Sequence, residues 1–107
     1  MQTLMYSILD KGVQAFSQPF SAHNDYAARR VFERAVADPE SIMSIKPSDF
    51  ALFRIGSFDD DLGLISSEDS HPVLISEGLE IYSGLEKSYS SDGTPSVVVS
   101  DRVYTQG

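Results

Sequence analysis

Cysteine is absent from these 107 residues, which excludes disulfides and every zinc or iron–sulfur site built on thiolates. Apolar burial must supply the stability instead. A chain of this length with 41% hydrophobic residues holds one compact core and not two. No apolar run approaches the roughly 20 residues needed to cross a bilayer. Met1–Gly12 also lacks a basic leader followed by an apolar stretch, so a soluble protein kept where it is made is expected. Catalytic signatures are missing too. No G-x-S-x-G elbow exposes a serine, and Gly56, Gly63, Gly78, Gly84 and Gly93 stand isolated, so no glycine-rich phosphate loop exists. His23 and His71 fit no metal-ligand spacing such as H-E-x-x-H; one reads as a helix-entry residue and the other as a loop residue. These absences point away from an enzyme and require no metal or cofactor.

Basic residues are scarce in one half only. Up to Arg54 six basic side chains balance six acidic ones, whereas from Ile55 onward two basic residues face ten acidic ones, so the net charge of −8 lies in the second half. A phosphate backbone is repelled there. Nucleic-acid contact would have to use the arginines of the first half; otherwise the acidic half faces a basic protein, or serves solubility alone.

What is present reads as an α+β domain. Leu4–Leu9 is a strand, Asp10-Lys11-Gly12 a turn, and Gln14–Phe20 a second arm of period two that Pro19 ends or places at an edge. A helix over about 24–38 follows, with Asn24 as N-cap, Asp25 favoured by the helix dipole and Pro39 as terminator. Ala27, Ala28, Val31, Phe32, Ala35 and Val36 form its apolar half. The connector Ser41–Phe50 is expected to fold its apolar residues over the helix–sheet junction, and Phe50–Phe58 reads as the central strand.

The polar half of the helix carries Arg29, Arg30, Glu33, Arg34 and Asp38. Glu33 cannot neutralise every arginine, so positive charge is left over. In the plain account this is a solvated face with ion pairs of about 0.3–0.5 kcal/mol each. In the functional account Arg29, Arg30 and Arg34 contact phosphate, joined by Lys46 and Arg54 if they share that side, with Tyr26 stacking on a base.

Asp59-Asp60-Asp61 follows the central strand. A calcium loop counted from Asp59 fails, because its sixth and twelfth positions are Leu64 and Ser70 instead of glycine and glutamate. Asp60-Asp61-Leu62-Gly63 instead has type I turn composition, with Leu64 and Ile65 resuming a strand, so the aspartates sit at a hairpin tip. In the alternative functional reading these three carboxylates dock on a basic viral or host protein.

Beyond the hairpin, His71–Ser76 reads as a short strand. Glu77–Lys87 reads as a helix entered at Ser76 with Leu79, Tyr82 and Leu85 on one face; Gly78 and Gly84 count against it, and Leu79–Tyr82 reads equally as a strand. Ser88–Ser96 has linker composition, and Val97–Val99 with Val103-Tyr104 suggests a β-rich terminal extension able to pair with a second copy. The expected architecture is a single domain over 1–107: a small antiparallel sheet packed by one main amphipathic helix, a core over 1–76 and an extension over 77–107.

The series Met5-Tyr6-Ser7-Ile8-x-Asp10, Pro19 with Asn24-Asp25, Ala28-x-Arg30-x-Phe32, Lys46-Pro47-Ser48-Asp49-Phe50-x-Leu52 and Ile55-Gly56-x-Phe58-Asp59-x-x-x-Gly63 resembles the small non-structural protein of gokushoviruses. These are single-stranded DNA phages, and the family is labelled phage ORF5. The resemblance covers about residues 4–75. It implies a non-structural bacteriophage protein of the host bacterial cytoplasm, acting in viral single-stranded DNA synthesis or packaging. Single-stranded DNA or replication and packaging proteins are its implied partners, and the family brings no catalytic residue. Family members stop soon after the hairpin, so the resemblance implies nothing about the extension.

Overall fold

Tyr6 and Leu52 are apolar residues with no exposed surface, and they lie on the two long strands around which the chain is built. A computed structural model describes residues 1–89 of the 107. β1 (Gln2–Asp10) and β4 (Phe50–Asp59) run antiparallel along their whole length, from the Gln2–Asp59 pair to the Asp10–Phe50 pair. Their register slips once, where Ile55 stands unpaired between the Met5–Gly56 and Tyr6–Arg54 pairs, a bulge that adds twist to the pair.

Short strands flank both long ones. β2 (Ala15–Phe16) and β3 (Phe20–Ala22) share the outer edge of β1, with Ser17-Gln18-Pro19 between them. The proline sits where no ladder bond is asked of it. β5 (Leu64–Ser67) and β6 (Val73–Glu77) share the outer edge of β4. Among the described residues the six-stranded antiparallel sheet is therefore never more than four strands wide, and three at several rows. Phe50–Asp59 is its central strand, as its near-continuous apolar composition predicts.

Helices cover one face of this sheet. α1 (Asp25–Ala37) buries Ala28, Phe32 and Val36, the innermost line of the apolar half read from sequence, while Val31 stays exposed at its margin. The Asn24 side chain caps the helix by accepting the Ala27 N–H at 2.8 Å, so the helix entry is where an asparagine before an apolar-periodic run places it. Met43, in the single-turn α2 (Ile42–Ile45), packs against the core; Ile42 and Ile45 are exposed. Only part of the connector thus covers the helix–sheet junction.

After a 3₁₀ turn at Pro47–Asp49, β4 and the β5–β6 edge, the chain enters α3 (Gly78–Tyr89). A helix wins over the alternative strand because its first turn is capped: the Glu80 carboxylate accepts the Glu77 N–H at 3.0 Å and the Ser76 hydroxyl at 3.3 Å. Gly78, which counts against a helix by propensity, is what admits it. A Cβ there would overlap the Pro47 carbonyl oxygen and lie 3.0 Å from that of Phe50. α3 turns Ile81 and Tyr82 into the core and leaves Leu79 half exposed, so the expected inward position of Leu79 is corrected. The core thereby reaches past residue 76 into the first turns of α3. The linker-like and valine-rich stretches over 90–107, including the β-rich extension, lie outside the described residues.

The aspartate hairpin differs in one detail from the type I turn expected at residues 60–63. The Gly63 N–H reaches the Asp59 carbonyl at 2.8 Å, so the turn starts one residue earlier and is one residue longer. Gly63 has φ of 69°, the left-handed conformation that glycine tolerates. The Asp59 carboxylate accepts the Asp61 N–H at 2.9 Å and the Leu62 N–H at 3.3 Å.

Candidate nucleic-acid interface

α1 is held on the sheet at two places. Its buried stripe supplies the first. The second is polar and lies at its N-terminus, where the Tyr6 hydroxyl donates to Asp25 at 2.6 Å and the Arg54 guanidinium donates to both Asp25 oxygens at 3.0 and 2.9 Å. Arg54 also donates to Glu68 at 2.8 Å, so one cation joins β1, α1, β4 and the loop after β5. The hydrogen bond from Tyr6, and then the Arg54 pair, hold the Asp25 carboxyl below the usual carboxylate range. Burial, then the bond to Asp25, push the Tyr6 phenol above its ordinary value. Glu68 first and Asp25 second keep Arg54 firmly protonated.

These shifts predict a pH dependence. A carboxylate whose folded pKa is depressed adds stability above its unfolded pKa of about 4 and loses it as pH falls through the folded value. Melting temperature should therefore fall on acidification below about pH 4. Tyr6→Phe should make that fall shallower, because it removes the largest cause of the Asp25 shift. An equal acid slope in both proteins, measured by thermal unfolding across pH, would contradict the role of the phenol.

With Asp25 and Arg54 satisfied inward, the outer surface of α1 carries Tyr26, Arg29, Arg30, Glu33 and Arg34. Arg29 pairs with Glu33 at 3.5 Å, an exposed i,i+4 contact. Arg30 and Arg34 are exposed and have no acidic partner within reach among the described residues. The Arg30 guanidinium stands 5.9 Å from the centre of the Tyr26 ring, which is itself 69% exposed. Residues 26, 30 and 34 follow the i,i+4 spacing, so they form one stripe with a rise of about 6 Å per step. An aromatic ring followed by two free guanidinium groups can stack on a base and meet successive phosphates.

The other sequence candidates fall elsewhere. Lys46 is exposed at the end of α2. Arg54 is on the sheet, committed to Asp25 and Glu68 instead of joining the exposed stripe. Asp59 spends its carboxylate on turn N–H groups, and Asp60 and Asp61 each lie 2.8 Å from the Met1 ammonium. The three aspartates can bring oxygens within 4.8 Å of one another, and these contacts already occupy one from each. Tyr6 and Glu68 escape a reading of the sequence because no periodicity links residues 6, 25, 54 and 68; only the strand pairing assembles them.

A family model described as phage ORF5 protein matches residues 3–81. The chain belongs to this phage family. The match ends at Ile81, the α3 residue buried in the core, so it spans the sheet and the stripe on α1 and leaves Tyr82 and the rest of α3 outside. No curated protein and no solved structure matches the chain.

Proposed function

We propose that this phage ORF5 protein binds single-stranded DNA along the outer stripe of α1, in viral DNA synthesis or packaging within the host bacterial cytoplasm, and performs no catalysis. The observation that carries this reading is the pair Arg30 and Arg34, exposed and without acidic partners among the described residues, in line with the exposed Tyr26 ring. The chain is acidic overall; beside the stripe Asp25 is paired with Arg54 and Glu33 with Arg29, while Asp38, one turn beyond Arg34, has no cation partner among the described residues. With so few phosphate contacts, binding is weak and its salt dependence shallow, a log–log slope of about −0.7 per contact on a single strand. Lys46 can add a contact, whereas Arg54 cannot leave without stripping two half-buried carboxylates of their shared cation.

The test is fluorescence anisotropy of a labelled oligothymidylate at low salt. Arg30→Glu with Arg34→Glu should weaken binding at least about 10-fold, since two phosphate contacts become repulsive. Both changes are on exposed helix positions, so circular dichroism should be unaltered. Wild-type protein that binds no oligonucleotide at low salt, or a folded double variant that binds equally well, would contradict the proposal.

A further inference from the structure

The sheet has a second face. Residues opposed in an antiparallel ladder share a face, and alternate residues take opposite ones. The rows Phe20–Tyr6–Arg54 and Ile8–Leu52 point to the helices, because Tyr6, Phe20, Ile8 and Leu52 all belong to the core cluster. The intervening rows point away. None of their side chains belongs to that cluster, not even Ala51, which has no exposed surface.

This reverse face is apolar at its two ends, with the more polar row Ser21–Met5–Gly56–Ser67 crossing between them. Leu9 stands between Phe16 and Ala51, Ser7 is followed by Phe53 and Leu74, and the Phe16 and Phe53 rings meet edge to face at 5.5 Å. Further along lie Met5 and the row Thr3–Phe58–Ile65. Phe16, Ile65 and Leu74 are 46%, 70% and 49% exposed. Among the described residues, Glu77 at one corner is the only charged side chain in these paired rows, and it is paired with Lys11 at 2.9 Å.

We propose that this face is an interface with a second copy of the chain, two sheets packing back to back about 10 Å apart around a two-fold axis. Charge selects the occupant. A nucleic acid or an anionic membrane would find no free cation in these rows on a protein of net charge −8, and a charged protein would leave its own groups unpaired. A second copy brings the same uncharged face and keeps both acidic surfaces in water. Size sets the strength: up to four strands about 4.8 Å apart, over seven residues at about 3.4 Å each, give a footprint of at most about 450 Å² per copy. The pair together covers about 900 Å², below the about 1,200 Å² of stable interfaces, so the contact is a weak, concentration-dependent one. The Lys11–Glu77 ion pair lies at the rim, the usual place for charge in a homodimer contact. The two α1 stripes then face outward on opposite sides.

Sedimentation velocity of the full chain, from low micromolar to millimolar concentration, tests this. Wild type should approach twice the chain mass as concentration rises, and Ile65→Lys with Leu74→Lys should raise the dissociation constant at least about 100-fold by forcing four charges into the contact. Should that variant fail to keep its circular dichroism spectrum, Phe16→Ser, at an exposed edge position, should still weaken the dimer. A wild-type chain that stays monomeric throughout overturns the proposal, its face being then solvated or covered by its own chain. So does a dimer that folded variants leave undiminished.

Discussion

Phe32→Ala is expected to cost about 3–5 kcal/mol of folding stability, the range for truncating a phenylalanine that is completely buried. Phe32 has no exposed surface and is the central member of the Ala28–Phe32–Val36 stripe, in one cluster with Tyr6, Leu52 and Ile81. The loss combines the transfer of a benzyl group back to water with a cavity that cannot collapse, since sheet and helices close around it. Domains of this size have about 5–15 kcal/mol in total, so the variant should unfold at a much lower urea concentration with an unchanged m-value. A loss under about 1 kcal/mol would mean that α1 does not rest on this ring. Oligonucleotide affinity should fall only in proportion to the unfolded fraction, because Phe32 faces away from the stripe.

Two glycines of α3 should respond in opposite directions. A methyl group added at Gly84 would meet nothing within 4 Å among the described residues, and the backbone there does not need positive φ, so Gly84→Ala should stabilise by up to about 1 kcal/mol through helix propensity alone. At Gly78 the same change places a methyl against the Pro47 carbonyl oxygen, a backbone atom of the 3₁₀ turn that cannot rotate aside. Propensity then loses to overlap: helix and turn must separate, at a cost of about 1–3 kcal/mol or more. Chemical denaturation of the two single variants reads both signs. Destabilisation by Gly84→Ala would show that its methyl meets a neighbour after all, and none by Gly78→Ala that α3 does not enter against this turn.

Local signals make most of the architecture legible in the sequence. The asparagine cap and the 3.6-residue period place α1 almost to the residue, and the apolar run at 50–58 announces the central strand because it is flanked on both edges. The aspartate triplet reads as turn chemistry, and a turn is what it makes, although the Asp59 side chain draws the turn back by one residue. What stays hidden depends on contacts distant in sequence. Gly78 looks like a helix breaker because nothing local reveals the carbonyl of Pro47 beside it. Spacing alone turns Leu79 inward, but the angle at which α3 docks turns Ile81 inward instead. Arg54 looks as free as Arg30 and Arg34, and only the strand pairing that brings Asp25 and Glu68 to it removes it from the stripe. The apolar reverse face is likewise invisible as a surface, since alternating residues announce two faces without saying which one the helices will choose.

An amide-resolved nuclear magnetic resonance titration with a short oligothymidylate tests the binding account most directly. Shift changes should be confined to the outward positions of α1, at Tyr26, Arg29, Arg30, Glu33 and Arg34, with Lys46 following weakly, and should diminish as salt is raised. Changes centred on Asp59–Gly63 or on the reverse face of the sheet, or no change at low salt, would contradict it.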